Sequence, residues 1–302
     1  MVNGATQLPD WLRKLYPFEP QRFATPAGEL SYLDEGPRTD EAVVMVHGNP
    51  TWSFFYRDVV LALRDRMRCI VPDHLGCGLS AKPQRWDYTL PNHIANLRAL
   101  LDSLSLRKIH LVVHDWGGPI GLGAVLPQAE KLGRVVILNT AAFADTVVPL
   151  RIRLCRAPLL GELIVRGGNG FAWPATWMAV SKPLPADVKR GFLFPYDSWA
   201  NRIATHRFVV DIPSGRGTPS DRALAEIEQC LPLLRQRPVA IVWGGDDFCF
   251  NRHYYARWSE LLPGADQHLL EGVGHYLIED GGSAVVQRIV AHLTSENTPA
   301  RM

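Results

Sequence analysis

The sequence predicts an α/β fold: a mostly parallel eight-stranded sheet with helices on both faces and an inserted helical lid. Three observations lead there. Five short runs, "AVVMVHG" (42–48), "RCIVPDH" (68–74), "KIHLVVHD" (108–115), "GRVVILN" (133–139) and "PVAIVWG" (238–244), are rich in Val and Ile and are separated by helix-like stretches. That is the pattern of parallel strands buried on both faces and joined by crossover helices. Upstream, "QRFATPAGELSYLDEG" reads as two strands around a turn at Pro26-Ala27-Gly28, and downstream "ADQHLLEGVGH" supplies one more. Between Asn139 and Pro238 the rhythm stops for about a hundred residues, which hold many Arg, Pro and Trp residues but no convincing parallel strand.

The chain therefore divides into a first part of the core at residues 1–140, a helical cap at 141–236 and a second part of the core at 237–302. Within the cap, "SWANRIATHRFVVDIP" puts Trp199, Ile203, His206 and Val210 on one helical face. A last helix is expected near 282–294. The 302 residues and 47% hydrophobic content allow one sizeable core with such an insertion. A net charge of +2 without a Lys/Arg run gives no footing for nucleic acid. The five cysteines are odd in number, scattered and without CxxC spacing, so they read as reduced thiols in a cytoplasm. The opening "MVNGATQLPDWLRKLYPFEP" lacks the apolar core of a signal peptide, and no apolar run is long enough to span a membrane.

In such a sheet, ligands sit beyond the carboxyl ends of the strands. Four strand ends carry candidates: His47-Gly48-Asn49-Pro50, Asp115-Trp116-Gly117-Gly118, "WGGDDF" and "EGVGHY". "LVVHDWGGPIG" (111–121) has the layout of a nucleophile elbow, with Asp115 at its tip. The alternative is that Asp115 only caps the helix that follows. A carboxylate attacks carbon without first losing a proton, so it suits alkyl halides, epoxides and strained lactones rather than amides. His275, behind Gly272 and Gly274, is the expected histidine. Asp247, fourth after Trp243, is the first choice for its orienting acid and Asp246 the second. The order of nucleophile, acid and histidine is the one an α/β-hydrolase uses. At the two loops that carry an esterase's oxyanion donors stand Asn49 and Trp116, whose amide and indole N–H groups form a neutral cradle for an anion. The alternative is that Trp116 packs and Asn49 shapes the turn. No HExxH, Walker loop or G-x-G-x-x-G opening a first helix is present.

With the pieces "HGNPTWSFFYR", "DHLGCGLSAKP", "HDWGG", "WGGDDFCF" and "GVGHYLIED", the chain resembles the haloalkane dehalogenases and their relatives in the α/β-hydrolase superfamily over essentially its whole length. The resemblance implies a lid after the sixth strand, an Asp115–His275–Asp247 triad, and Asn49 with Trp116 as the anion-binding pair. "YPFEP", "VPDHLGCGLS", "LNTAAF" and "PYDSWANRIATHRFVVDIP" are most similar to the β-lactone decarboxylases of bacterial long-chain olefin biosynthesis. That resemblance implies conversion of a long-chain cis-3,4-dialkyl-oxetan-2-one to a cis-alkene and carbon dioxide without metal or redox cofactor. It also implies association with other olefin-biosynthesis enzymes, including the β-lactone synthetase. Trp173, Trp177, Met178, Phe192, Phe194 and Trp199 are the expected apolar lid wall. Epoxide hydrolases use two lid tyrosines to protonate the opening oxygen; this lid has Tyr196 alone, which argues against that chemistry. Two rivals remain: hydrolytic dehalogenation through an alkyl-Asp ester, and an inactive module that binds a small apolar molecule.

Overall fold

The computed structural model describes residues 8–144 and 149–295. Its strands are β1 (Gln21–Thr25), β2 (Gly28–Glu35), β3 (Glu41–Val46), β4 (Arg68–Pro72), β5 (Lys108–His114), β6 (Leu132–Leu138), β7 (Val239–Gly244) and β8 (Asp266–Leu270). They form one eight-stranded sheet in the order β1-β2-β4-β3-β5-β6-β7-β8. β2 pairs antiparallel with both β1 and β4, and every other neighbouring pair is parallel.

The helices are α1 (Asp10–Leu15), α2 (Arg57–Leu63), α3 (Leu90–Ser103), α4 (Gly117–Val125), α5 (Leu150–Cys155), α6 (Leu160–Glu162), α7 (Ala172–Met178), α8 (Ala186–Leu193), α9 (Ile203–Asp211), α10 (Pro219–Cys230), α11 (Arg252–Leu261) and α12 (Leu277–Thr294). Side chains alternate across a strand, so each central strand feeds two cores. Val44, Val46, Leu111, Val113 and Ile137 face one side with Leu97 of α3, Ile120 of α4 and Ile227 of α10. Val43, Met45, Val112, Val136 and Val242 face the other with Val60 of α2 and Ile289 of α12. Burial on both sides explains why these strands read as unbroken apolar runs.

All helices from α5 to α10 lie between β6 and β7 in the chain. α10 packs on α3 and α4 and shares their core through Leu224 and Ile227. A smaller cluster of Ile152, Cys155, Val165 and Val209 joins α5 to α9. Two helical expectations need correction. The last helix begins at Leu277, ahead of 282, and passes through a break at Gly282, whose φ is +52°. The α9 stripe is also broken at its start: Ile203 and His206 are buried, and Val210 shares their face at the far end of α9 but is 41% exposed, whereas Trp199, 43% exposed, precedes the helix. Residues 200–202 form a 3-10 turn, and its three-residue period shifts Trp199 out of phase with the α-helix that follows.

α2 and α12 are tied together under the sheet by a buried ion pair. Arg57 donates to Glu279 through both terminal nitrogens, at 2.9 Å for Nη2–Oε2, and donates to the Phe54 carbonyl at 3.1 Å. Glu279→Ala leaves the guanidinium, whose side chain is only 5% exposed, with the Phe54 carbonyl and the half-exposed Asp58 at 3.5 Å as its remaining partners, and the expected loss is about 2–4 kcal/mol of folding stability. Urea titration of the two proteins measures it. A loss below about 1 kcal/mol, the level of a surface pair, shows that water reaches the guanidinium.

Candidate active site

The elbow follows from a strand that must turn into a helix within two residues. β5 ends at His114, α4 starts at Gly117, and Asp115 between them has φ +52°, a left-handed conformation uncommon for a residue with a side chain. Its backbone is pinned: Asp115 N donates to the Asn139 carbonyl at 3.0 Å, and its own carbonyl accepts from Gly118 N at 3.0 Å and from the Thr140 hydroxyl. The chain passes so close to β3 that a Cβ on Gly117 would lie 1.9 Å from the Val46 carbonyl oxygen. Trp116 occupies the N-cap position of α4, and among the described residues no hydrogen bond from Gly117 or Gly118 to the Asp115 side chain is present. Instead Asp115 Oδ1 accepts the Asn49 backbone N–H at 2.6 Å, and the Trp116 N–H also bonds the carboxylate. Burial raises the Asp115 pKa above the ordinary carboxylate range, against the opposing pull of His275 and these two N–H groups.

His275 lies between β8 and α12, with its backbone carbonyl accepting from His114 Nε2 at 2.9 Å. Its Nδ1 is 2.7 Å from Asp247 Oδ2, and its Nε2 faces Asp115 Oδ2 at 3.8 Å. That second distance is too long for a hydrogen bond, so Asp115 Oδ2 is restrained by charge but not capped by a proton. Burial opposes the imidazolium; Asp247 and then Asp115 outweigh it and raise the His275 pKa above 6.5. Asp247 is buried and accepts from Cys249 N at 2.6 Å and Phe250 N at 3.1 Å, whereas Asp246 is exposed. Of the two carboxylates, Asp247 is the one at the imidazole.

A further residue, Asn139, escaped the sequence reading as a site residue. Its amide donates to Asp247 Oδ2 at 2.9 Å and to the Gly244 carbonyl at 3.1 Å, and its oxygen accepts from Gly244 N at 2.8 Å. Asn139 thus locks the end of β7 to the end of β6 and holds the oxygen that meets His275. Its position directly after a strand was the available signal, but an asparagine there also reads as an ordinary turn residue.

Asn49 and Trp116 both line one apolar cavity of about 340 Å³, together with Asp115 and His275. Asn49 Nδ2 gives one hydrogen to the Thr205 carbonyl at 3.1 Å, leaving its second amide hydrogen for another acceptor. The Trp116 ring packs on Phe208 with centroids 5.2 Å apart, and among the described residues no acceptor meets its indole N–H. Packing and donation are therefore compatible in this side chain.

The opposite wall differs from expectation. Of the six proposed lid residues only Met178 lines the cavity. Phe192 and Phe194 belong to the core on the α2 side, and Trp173, Trp177 and Trp199 are 49%, 53% and 43% exposed. The cause is phase: on α7 the cavity receives Pro174, Ala175 and Met178, which turns Trp173 and Trp177, four residues apart, outward. Arg151, Ile152, Cys155, Phe171, Val209 and Ile212 also line that wall. Tyr196 is buried with its hydroxyl on the Thr51 carbonyl at 3.1 Å and does not line the cavity, while Tyr254 and Tyr276, from outside the helical insertion, do.

Comparison with known proteins agrees with this architecture. The family model for the alpha/beta hydrolase fold matches residues 41–282. A cis-3-alkyl-4-alkyloxetan-2-one decarboxylase from Shewanella oneidensis is 44% identical over 296 residues, covering 96% of this chain and 92% of its own length. One of the same name from Xanthomonas campestris is 43% identical, covering 92% of this chain and 97% of its own length. Among solved structures, the haloalkane dehalogenase DbeA-M1 loop variant from Bradyrhizobium elkanii superposes with a TM-score of 0.81 at 21% identity, over 91% of this chain and 95% of that one. The chain belongs to the alpha/beta hydrolase fold family, in the group that includes those two decarboxylases.

Proposed function

We propose that this protein converts a long-chain cis-3,4-dialkyl β-lactone to a cis-alkene and carbon dioxide, with Asp115 as nucleophile. The observation that carries the reading is a carboxylate at the elbow, backed by an imidazole and opening on an apolar cavity, in a chain whose relatives bear the decarboxylase name. The segment 141–236 is the proposed cap over that cavity, and its apolar wall suits two alkyl chains rather than a polar substrate. The proposed setting is a reducing cytoplasm, which fits five free cysteines, with the other enzymes of olefin biosynthesis, including the lactone-forming synthetase, as partners.

In the proposed mechanism, Asp115 Oδ2 attacks the ring carbon that bears oxygen, from the face opposite the breaking bond. One carbon–oxygen bond forms to Asp115, the ring carbon–oxygen bond breaks, and its electron pair becomes a free carboxylate. The second amide hydrogen of Asn49 and the indole N–H of Trp116 receive that carboxylate. Backside attack leaves the new ester anti to the freed carboxylate. The carbon–carbon bond to the carboxylate then supplies the electrons of the alkene, carbon dioxide departs, and Asp115 leaves as a carboxylate. Inversion followed by anti loss preserves the cis relation of the alkyl chains and consumes no water. His275 serves as a cation beside the migrating negative charge, oriented by Asp247 and Asn139. Ring strain supplies part of the driving force, so the protein has mainly to orient the ring and stabilise charge.

Asp115→Asn keeps the shape of the elbow and removes the nucleophile, so alkene formation from a cis-dialkyl β-lactone is expected to fall by about a thousandfold or more, with folding retained. Gas chromatography of the alkene measures this, with a check for deamidation. Incubating the unmodified protein with 1-bromobutane tests the dehalogenase rival, for which bromide release faster than alkene formation is the signature.

Trp116→Phe retains the bulk against Phe208 and deletes the donor. A barrier increase of roughly 2–4 kcal/mol is expected in single-turnover alkene formation. An unchanged rate assigns the ring to packing alone.

The pH profile separates the proposed role of His275 from that of a water-activating base. Asp115 must be ionised, so the rate falls as pH drops through its raised pKa, above 3.8. His275 must be charged, so the rate also falls as pH rises through its raised pKa, above 6.5. A bell is expected for kcat/KM, its limbs belonging to the coupled set. A rate that instead climbs through the upper limb identifies His275 as a base and refutes the water-free route.

A further inference from the structure

The outer surface of the helical insertion is unusually apolar. Leu150 is 69% exposed, Leu154 52%, Leu159 80%, Leu160 53% and Leu163 60%, all within fourteen residues of chain. Single exposed leucines need no explanation, but three on α5 and α6, which are in mutual contact, and two more flanking α6 form a feature that soluble surfaces usually avoid. Leu150 and Leu154 are one turn apart on α5, and the opposite side of that helix sends Ile152 and Cys155 to the cavity wall. One helix thus separates the apolar cavity from an apolar exterior.

The charges around the leucines are of one sign. Residues 149–168 contain Arg151, Arg153, Arg156 and Arg166 against the single acid Glu162, which is paired with Arg166. Arg156 is turned to the Ile212 carbonyl; Arg151 and Arg153 are exposed and make no ion pair among the described residues, with Arg151 at the cavity rim, its guanidinium 5.8 Å from the Phe248 ring centroid. Exposed leucines interleaved with unpaired arginines are the composition of an element that lies in the boundary of an anionic membrane, where the alkyl side chains enter the acyl region and the guanidinium groups meet phosphate. A second copy fits less well. A two-fold contact through this face sets Arg151 and Arg153 of each copy against the same face of the other.

We propose that α5, Leu159, α6 and Leu163 dock the protein peripherally on an anionic lipid surface, placing the cavity wall formed by α5 at the membrane boundary. No helix of the described residues is long and apolar enough to cross a membrane, so the contact is interfacial. If the function proposed above holds, the same surface is where a dialkyl lactone enters and an insoluble alkene leaves, but the docking stands on the surface composition and is tested without turnover.

The test is flotation of the full chain with phosphatidylcholine vesicles and with vesicles that also contain phosphatidylglycerol. Binding to the anionic vesicles is expected, weakening as salt rises from about 0.05 to about 0.5 M, since screening shortens the reach of surface charge. The triple variant Leu154→Ser, Leu159→Ser, Leu163→Ser removes three side chains that do not line the cavity. It is expected to lower the bound fraction about tenfold or more, and Arg153→Gln to lower it on anionic vesicles only. Both are expected to keep the unmodified rate on a short-chain, water-soluble dialkyl lactone. Absence of turnover of that lactone by the unmodified protein counts against the proposed reaction and leaves the vesicle result to stand by itself. Absence of binding to either vesicle overturns the docking. So does a triple variant that binds like the unmodified chain, or one whose only change is dissociation of a dimer in sedimentation velocity, which assigns the leucines to a second copy.

Discussion

Two carboxylates and one imidazole, all buried, have to share a single small volume, and the fold is arranged around making that tolerable. Asp115, Asp247 and His275 are 6%, 3% and 6% exposed. A buried charge without partners costs several kcal/mol, and here two like charges flank the imidazole. The cost is offset by donors: Asn49 N and Trp116 N at one carboxylate, Cys249 N, Phe250 N and the Asn139 amide at the other. Four of these five are backbone groups, fixed by the loops they belong to. They cannot swing away when charge moves, and that immobility is what electrostatic stabilisation of a reacting site requires.

Sheet order explains how residues so distant in sequence come to one place. From β3 onward the neighbouring strands are β3, β5, β6, β7 and β8. After their carboxyl ends come Asn49, Asp115, Asn139, Asp247 and His275, one from each strand. Parallel pairing aligns those ends in a row, and the crossover helices leave the row open above. Adjacent ends are then joined across the row: Asn49 to Asp115, Asp115 to Asn139, Asn139 to Asp247, and Asp247 to His275. Displacing any one strand end disturbs its neighbours, so the geometry is collective.

This also accounts for what was legible in the sequence. Strand ends are marked locally by an apolar run that stops at a polar residue, so Asn49, Asp115 and His275 stood out. The spacing from Trp243 favoured Asp247, but its separation from Asp246 rests on which carboxylate the loop turns inward, a tertiary property. Asn139 was invisible as a site residue because its role is defined by Gly244 and Asp247, more than a hundred residues away. The cap was harder still. Its composition suggested an aromatic wall, but a helix wall is set by phase. With only three or four positions per helix meeting the cavity, the small and unremarkable Pro174 and Ala175 occupy places that sequence reading gave to tryptophan.

The division of labour between sheet and cap has a physical basis. The polar groups that reach the cavity floor come from the strand ends, where backbone N–H groups and neighbouring strands restrain them. From the segment between β6 and β7 come Phe171, Pro174, Met178, Val209 and Ile212, which offer contact area, and Arg151, its one charged residue in the wall among the described residues. Apolar contact scales with area and tolerates exchange among side chains of similar volume, whereas a hydrogen bond to a developing charge does not. In the proposed reaction, substitutions in the proposed cap therefore act on which alkyl chains fit and how tightly they are held. Substitutions in the strand-end row act on the charges themselves. The insertion point between β6 and β7 lets the cap vary without moving the row, because Asn139 and Gly244, on either side of the insertion, are bonded directly to each other beneath it.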